Sequence, residues 1–97
     1  MAGYVILAYY TGQGIATVND TTKRAEAATG MAGKFGVKIT GILWTLGQYD
    51  LVQVAEAPNE EALAAFSVSV GMMGVIKTQT LRAFRAKEVD GILAKRK

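Results

Sequence analysis

The chain has 97 residues, enough for one domain and too few for two independent cores. It holds no cysteine and no histidine, which removes disulfides, thiolate nucleophiles, the commonest metal ligand and the commonest base near neutral pH, so that zinc sites and Ser-His or Cys-His catalysis are set aside within one chain. The net charge of +3 comes from the closing Lys95-Arg96-Lys97, without which the chain is neutral, so the basic excess reads as a solvated tail suited to the negative end of a helix rather than as a nucleic-acid surface.

Tyr4 to Tyr10 is β-branched and aromatic with no polar gap, and reads as a central strand buried on both faces. Thr11-Gly12-Gln13-Gly14 breaks it. Asn19, Asp20 and Thr21 are N-cap candidates for a helix over 20–35. Ala25, Ala28, Met31, Ala32 and Phe35 recur there at helical spacing, with Lys23, Arg24, Glu26 and Lys34 largely elsewhere, and Gly36 stops the helix. A second strand is expected over 37–45, with Gly41 as a bulge or point of close contact. Gly47 to Asp50 turns the chain into a third strand over 51–57, making a hairpin. Pro58-Asn59-Glu60-Glu61 opens a helix over 59–71, with Asn59 as cap, two acids in the positive first turn, and Leu63, Phe66 and Val70 as its buried stripe. A fourth strand spans 75–84, and a short amphipathic helix over 87–94 uses Val89, Ile92 and Leu93.

The order β-α-β-β-α-β predicts an α+β, ferredoxin-like fold: one domain over 1–97, with two helices on one face of a four-stranded antiparallel sheet of order 4-1-3-2. Its other face is then bare in a monomer. Simple alternation groups Lys38, Thr40, Ile42 and Trp44 with Val52, Val54 and Glu56, and with Thr78, Thr80, Arg82 and Phe84, on one face. At 51% hydrophobic and 20% charged the chain is apolar for its size, so that face is expected to pair with another copy, enclosing a partly polar cavity between subunits.

Several pieces together resemble the GYD domain family of small bacterial proteins. They are Gly47-x-Tyr49-Asp50 with the following Leu51-Val52-x-Val54-x-Glu56-Ala57-Pro58, Thr11-x-Gln13-Gly14-Ile15, Lys23-Arg24, and Thr78-x-Thr80-Leu81-Arg82-Ala83-Phe84. The family usually has an acid where Gln48 stands and often one where Gly12 stands, so any chemistry of those acids is absent here. The resemblance implies the dimeric α+β barrel group, in which two such subunits pack sheet to sheet. Related families there include cofactor-free monooxygenases and decarboxylase-like or isomerase-like enzymes, an analogy at the level of fold.

The candidate site residues carry two readings each. Asp50 is a base and Tyr49 a hydrogen-bond donor at a cavity rim, or Asp50 caps backbone amides of its own turn and Tyr49 packs on a dimer seam. Arg82 holds a ligand anion, or pairs with Glu56. Thr78 and Thr80 offer hydroxyls or are ordinary strand residues. Trp44, Tyr9 and Tyr10 line an aromatic pocket or pack in the core or at an interface, and Gln13 belongs to a loop leading towards a helix, which can bind an anion. No nucleotide fingerprint is present, and no metal or cofactor is expected. The first apolar run lacks a basic start and a small-residue cleavage site, and it is too short to span a bilayer, so a cytoplasmic location without membrane contact is expected. RNA on the sheet is disfavoured because no Lys/Arg-Gly-Phe/Tyr-x-Phe pattern occurs. The leading functional expectation is a homo-oligomer that binds a small molecule or a partner without catalysis. The alternative is a cofactor-free enzyme on a small organic substrate with Asp50 as base.

Overall fold

The computed structural model describes residues 1–96; the last residue of the basic tail, Lys97, lies outside the described residues. The strands are β1 (Ala2–Tyr10), β2 (Lys38–Trp44), β3 (Leu51–Ala57) and β4 (Ile76–Ala83). The helices are α1 (Gly12–Ala16), α2 (Thr21–Ala32), α3 (Glu60–Gly71) and α4 (Ala86–Ala94). The sheet has four strands in the order β2-β3-β1-β4, every neighbouring pair antiparallel, which is the expected order read from the other edge. The apolar first strand takes an interior place beside β3, paired along both of its edges.

Local chemistry explains most element ends. Asn59 accepts the Ala62 amide at 2.9 Å, closing the first turn of α3 above Glu60 and Glu61. Gly36 adopts φ 73, a left-handed conformation that glycine enters without a Cβ clash, and ends the turn Gly33–Phe35 that follows α2. The start of α2 differs from expectation, since Asp20 occupies the cap position but makes no side-chain cap bond. The expected helix over 20–35 is α2 flanked by two 3-10 turns, Val18–Asp20 and Gly33–Phe35.

Helix α1 was not expected, because two glycines in five residues disfavour a helix. It forms because Thr11 caps it, accepting the Gly14 amide at 3.0 Å and donating to the Gly74 carbonyl at 2.6 Å. Gly14 itself is packed so close to the β4 approach that a Cβ there would lie 1.8 Å from the Val75 carbonyl oxygen.

Residues directly opposite across an antiparallel pair share a face, so the registers give continuous rows across the sheet. On the helix side run Trp44–Leu51–Ala8–Thr78, Ile42–Gln53–Ile6–Thr80 and Ile39–Ala55–Tyr4–Arg82. On the open side run Leu43–Val52–Leu7–Gln79, Gly41–Val54–Val5–Leu81 and Lys38–Glu56–Gly3–Ala83. This corrects the grouping from simple alternation. Val52, Val54 and Glu56 are on the open face with Lys38, whereas Ile42, Trp44, Thr78, Thr80 and Arg82 face the helices. Within β2 the physical reason is the register shift between Ile39 and Gly41, where Thr40 is an extra residue that reverses the phase; β3 and β4 are out of phase because their registers on β1 set Val52 and Gln79, not Thr78, opposite Leu7.

The core lies between sheet and helices. Tyr4, Ile6, Ala55 and Ala57 of the sheet meet Ala32 and Val37, and Leu63, Phe66 and Val70 of α3. The small alanines of β3 let the helices approach, and Phe66 fills the space they leave. Helix α4 has no buried residue and projects from this body. The chain measures 52 × 30 × 17 Å, with a radius of gyration of 14.6 Å. A compact domain of about 100 residues has roughly 13 Å. Among the described residues no helix is long and apolar enough to cross a membrane.

Candidate functional site

At the end of the sheet where β1 finishes, the Gly47–Asp50 turn brings its aspartate onto the neighbouring strand. The Asp50 carboxylate accepts the Tyr10 amide through Oδ2 at 2.8 Å. Its own backbone N–H donates to Ala8, and its carbonyl accepts from Thr45, each at 2.8 Å. Asp50 thus extends the β1–β3 ladder by one side-chain rung. The amide it satisfies belongs to β1, not to its own turn. Thr45 Oγ1 donates to the Tyr49 carbonyl at 2.7 Å and fixes the turn's shape.

Tyr49 leaves Asp50 and lies across the open face. Its hydroxyl donates to Gln79 Oε1 at 2.7 Å, and its ring centroid is 6.3 Å from that of Tyr9. Tyr9, Gln48, Tyr49 and Gln79 enclose a shallow, wide depression of about 400 Å³. Trp44 lies on the opposite side of the sheet. Its indole Nε1 donates to Thr21 Oγ1 at 3.1 Å, and the same hydroxyl meets the Tyr10 hydroxyl at 2.9 Å. Both aromatic residues are thereby tied to the first residue of α2. Gln13 sits in α1 with its side chain beside Gly74, and its carbonyl accepts the Thr17 amide and hydroxyl.

The second cluster lies on the helix side and runs along β4 from Thr78, level with Ala8, to Arg82, level with Tyr4 near the start of β1. Thr78, Thr80 and Arg82 of β4 form one wall of a groove of about 460 Å³, Glu60 and Ser67 of α3 stand on the other, and Tyr4 lines it from β1. Arg82 is held in place over two rings, its guanidinium carbon 5.4 Å from the Tyr4 centroid and 4.4 Å from that of Phe84. Its Nη1 donates to the Gly3 carbonyl at 3.0 Å. The acid nearest to it is Glu60, with Nε 3.8 Å from Oε1, rather than the Glu56 expected from sequence, because Glu56 lies on the opposite face. Tyr4 is buried and its hydroxyl completes no hydrogen bond of good geometry, although the Glu60 carboxylate is its polar neighbour; burial first, and then that carboxylate, push the phenol's pKa above its ordinary value against the opposing charge of Arg82.

The expected site residues therefore do not converge. The structure brings Tyr9 and Tyr49 together, and separately Thr78, Thr80 and Arg82, while Asp50, Trp44 and Gln13 serve three different junctions. Among the described residues no three acidic side chains gather to hold a metal ion. Sequence reasoning missed Tyr4, Glu60 and Ser67. The available signal was Tyr4 itself, since a tyrosine inside an apolar run carries a polar tip that needs a partner.

The GYD domain family model matches residues 4–93. The chain is 30% identical over 84 residues to the "Glutamine synthetase and cystathionine beta-lyase binding protein" of Thermus thermophilus, covering 86% of this chain and 88% of that protein. Its fold is similar to the crystal structure of TTHA0845 from Thermus thermophilus, with a TM-score of 0.53, 25% identity, and coverage of 89% of this chain and 96% of that one.

Proposed function

The chain belongs to the GYD domain family, and from that premise we propose that it is a binding protein which docks an enzyme on the open face of its sheet. The supporting observation is the pair of apolar rows on that face, in which Leu43 is 66% exposed and Leu81 43%, with half-buried Val5, Leu7 and Val52 between them. Contiguous exposed apolar surface is unfavourable in water and is characteristic of an interaction site. Lys38, Glu56 and Lys77 at its margins supply the polar rim such interfaces have. The Thermus relative is named for binding two enzymes, glutamine synthetase and cystathionine β-lyase, and that class of partner is carried here to this chain.

The test is surface plasmon resonance against glutamine synthetase and cystathionine β-lyase from the same organism. Saturable binding is expected to at least one of them, and Val52→Glu, which charges the centre of the face, should weaken it by about 100-fold with the circular dichroism spectrum unchanged. Binding that survives Val52→Glu and Leu43→Glu together would rule out this face, and no binding to either enzyme would rule out the transferred partners.

A second reading places another copy of this chain on the same face. It is favoured by α4, whose Val89, Ile92 and Leu93 are 38%, 42% and 48% exposed on a helix that projects from its own domain. Such a helix gains burial by lying against a neighbour. Sedimentation velocity across a dilution series separates the two: a dimer lost on Val52→Glu supports self-pairing, and a monomer at all concentrations rejects it.

A further inference from the structure

We propose that the groove between α3 and β4 binds a free α-amino acid as its zwitterion, within a single subunit. The groove lies on the helix side of the sheet, opposite the face assigned to a partner, so the inference does not rest on the function proposed above.

The carrying observation is the Tyr4 hydroxyl. Tyr4 is only 2% exposed, lines the groove, and is the one buried side-chain polar group without a hydrogen-bond partner among the described residues. A buried hydroxyl in that condition is costly unless a ligand accepts its proton. Beside it stand two charges of opposite sign, Arg82 held by its contacts and Glu60 on an exposed side chain at the groove's rim. Arg82 is immobilised by the Gly3 carbonyl and by the rings of Tyr4 and Phe84, and Glu60 is 3.8 Å away, beyond a good hydrogen bond. The two charges therefore attract each other only as a loose pair.

Each half of a zwitterion meets one of these groups. The ligand carboxylate accepts from the Tyr4 hydroxyl and from Arg82, and the ammonium donates to Glu60. A simple carboxylate would meet repulsion from Glu60, and a simple amine would leave the Tyr4 and Arg82 donors unused. Beyond the charges the walls mix hydroxyls, from Ser67, Thr78 and Thr80, with the apolar side chain of Leu63, which suits a side chain having a methylene stem and a polar tip. The volume of about 460 Å³ falls in the range of small-molecule sites, roughly 300–1,000 Å³.

The experiment is a heteronuclear NMR titration of the full chain with each of the common L-amino acids to about 10 mM, a ceiling that detects millimolar dissociation constants. At least one should give saturable shifts at Tyr4, Ser67, Thr78 and Thr80. Its N-acetyl and its carboxamide derivatives, each lacking one charge, should bind at least about 10-fold more weakly. Tyr4→Phe, which deletes only the unpartnered oxygen, and Thr80→Val should each weaken binding while the spectrum remains that of a folded protein. The proposal is overturned if no amino acid saturates these residues, or if Tyr4→Phe binds as the parent does. It is also overturned if the N-acetyl derivative binds equally well, an outcome that would assign the groove to a peptide C-terminus.

Discussion

The two ends of the sheet use their polar residues in opposite ways. At the end where β1 finishes, Asp50 holds the Tyr10 amide, Thr21 ties Tyr10 to Trp44, and Thr11 bonds the Gly74 carbonyl and the Gly14 amide. At the end where β1 begins, the Tyr4 hydroxyl is unpartnered and Arg82 and Glu60 form only a loose, solvent-exposed ion pair at 3.8 Å. The first end contains the residues that look most like a motif, and they close the fold. The second contains a tyrosine that reads as core and an arginine in a strand, and it holds the uncommitted chemistry. Polar groups that satisfy one another stabilise the native state, whereas groups left unsatisfied are available to a ligand.

The sharpest way to break this contrast is Gly14→Ala. Its Cβ would meet the Val75 carbonyl oxygen at 1.8 Å, so the β4 approach must move or α1 must unfold. A loss of about 3 kcal/mol or more is expected in urea denaturation. Next is Asp50→Ala, which leaves the Tyr10 amide without its carboxylate acceptor; it should cost about 2 kcal/mol, against about 1 for Asp50→Asn, which keeps an acceptor oxygen. If Asp50→Ala is instead neutral in stability, the turn is free for the base role that the enzymatic reading gives it. Thr21→Val removes the hydroxyl shared by Trp44 and Tyr10. It should cost about 1 kcal/mol and alter Trp44 fluorescence, since both bonds are partly solvated.

The smallest effect is expected at the open end. Tyr4→Phe should raise stability at neutral pH by up to about 1 kcal/mol, because it removes a buried hydroxyl whose desolvation is uncompensated and no partner is lost. Its signature appears in alkali. The Tyr4 phenol has a pKa raised above 10.0, so the fold favours its protonated form. The native state therefore keeps this contribution below pH 10.0 and loses it as pH rises through the higher folded value. A pH series of thermal midpoints should accordingly show a shallower alkaline decline for Tyr4→Phe than for the parent. An equal decline in both would mean that Tyr4 is not the group responsible.

The reading from sequence succeeded where the information is local. The Asn59 cap, the stop at Gly36 and the hairpin between β2 and β3 each depend on a few adjacent residues. It failed at α1, where a tertiary contact at Gly14 outweighs the poor helix propensity of two glycines. Strand alternation puts Thr78, Thr80 and Arg82 on one face, and they do line one groove. Their neighbours Tyr4, Glu60 and Ser67 are not legible in this way, because they come from β1 and α3 and meet β4 only through packing.

By itself, then, the sequence determined the order of strands and helices and, through the apolar first run, which strand is central. Those follow from periodicity and from the unbroken apolar run of β1, which favours an interior place in the sheet even though its Val5, Leu7 and Tyr9 side lies on the open face. Tertiary structure alone decided which face each strand presents and which polar groups meet. A single extra residue at Thr40 reverses the faces of β2. The carboxylate of Asp50 reaches an amide 40 positions away in the chain. Neither result can be read from residues next to one another, because register and long-range pairing are fixed only when the whole sheet closes.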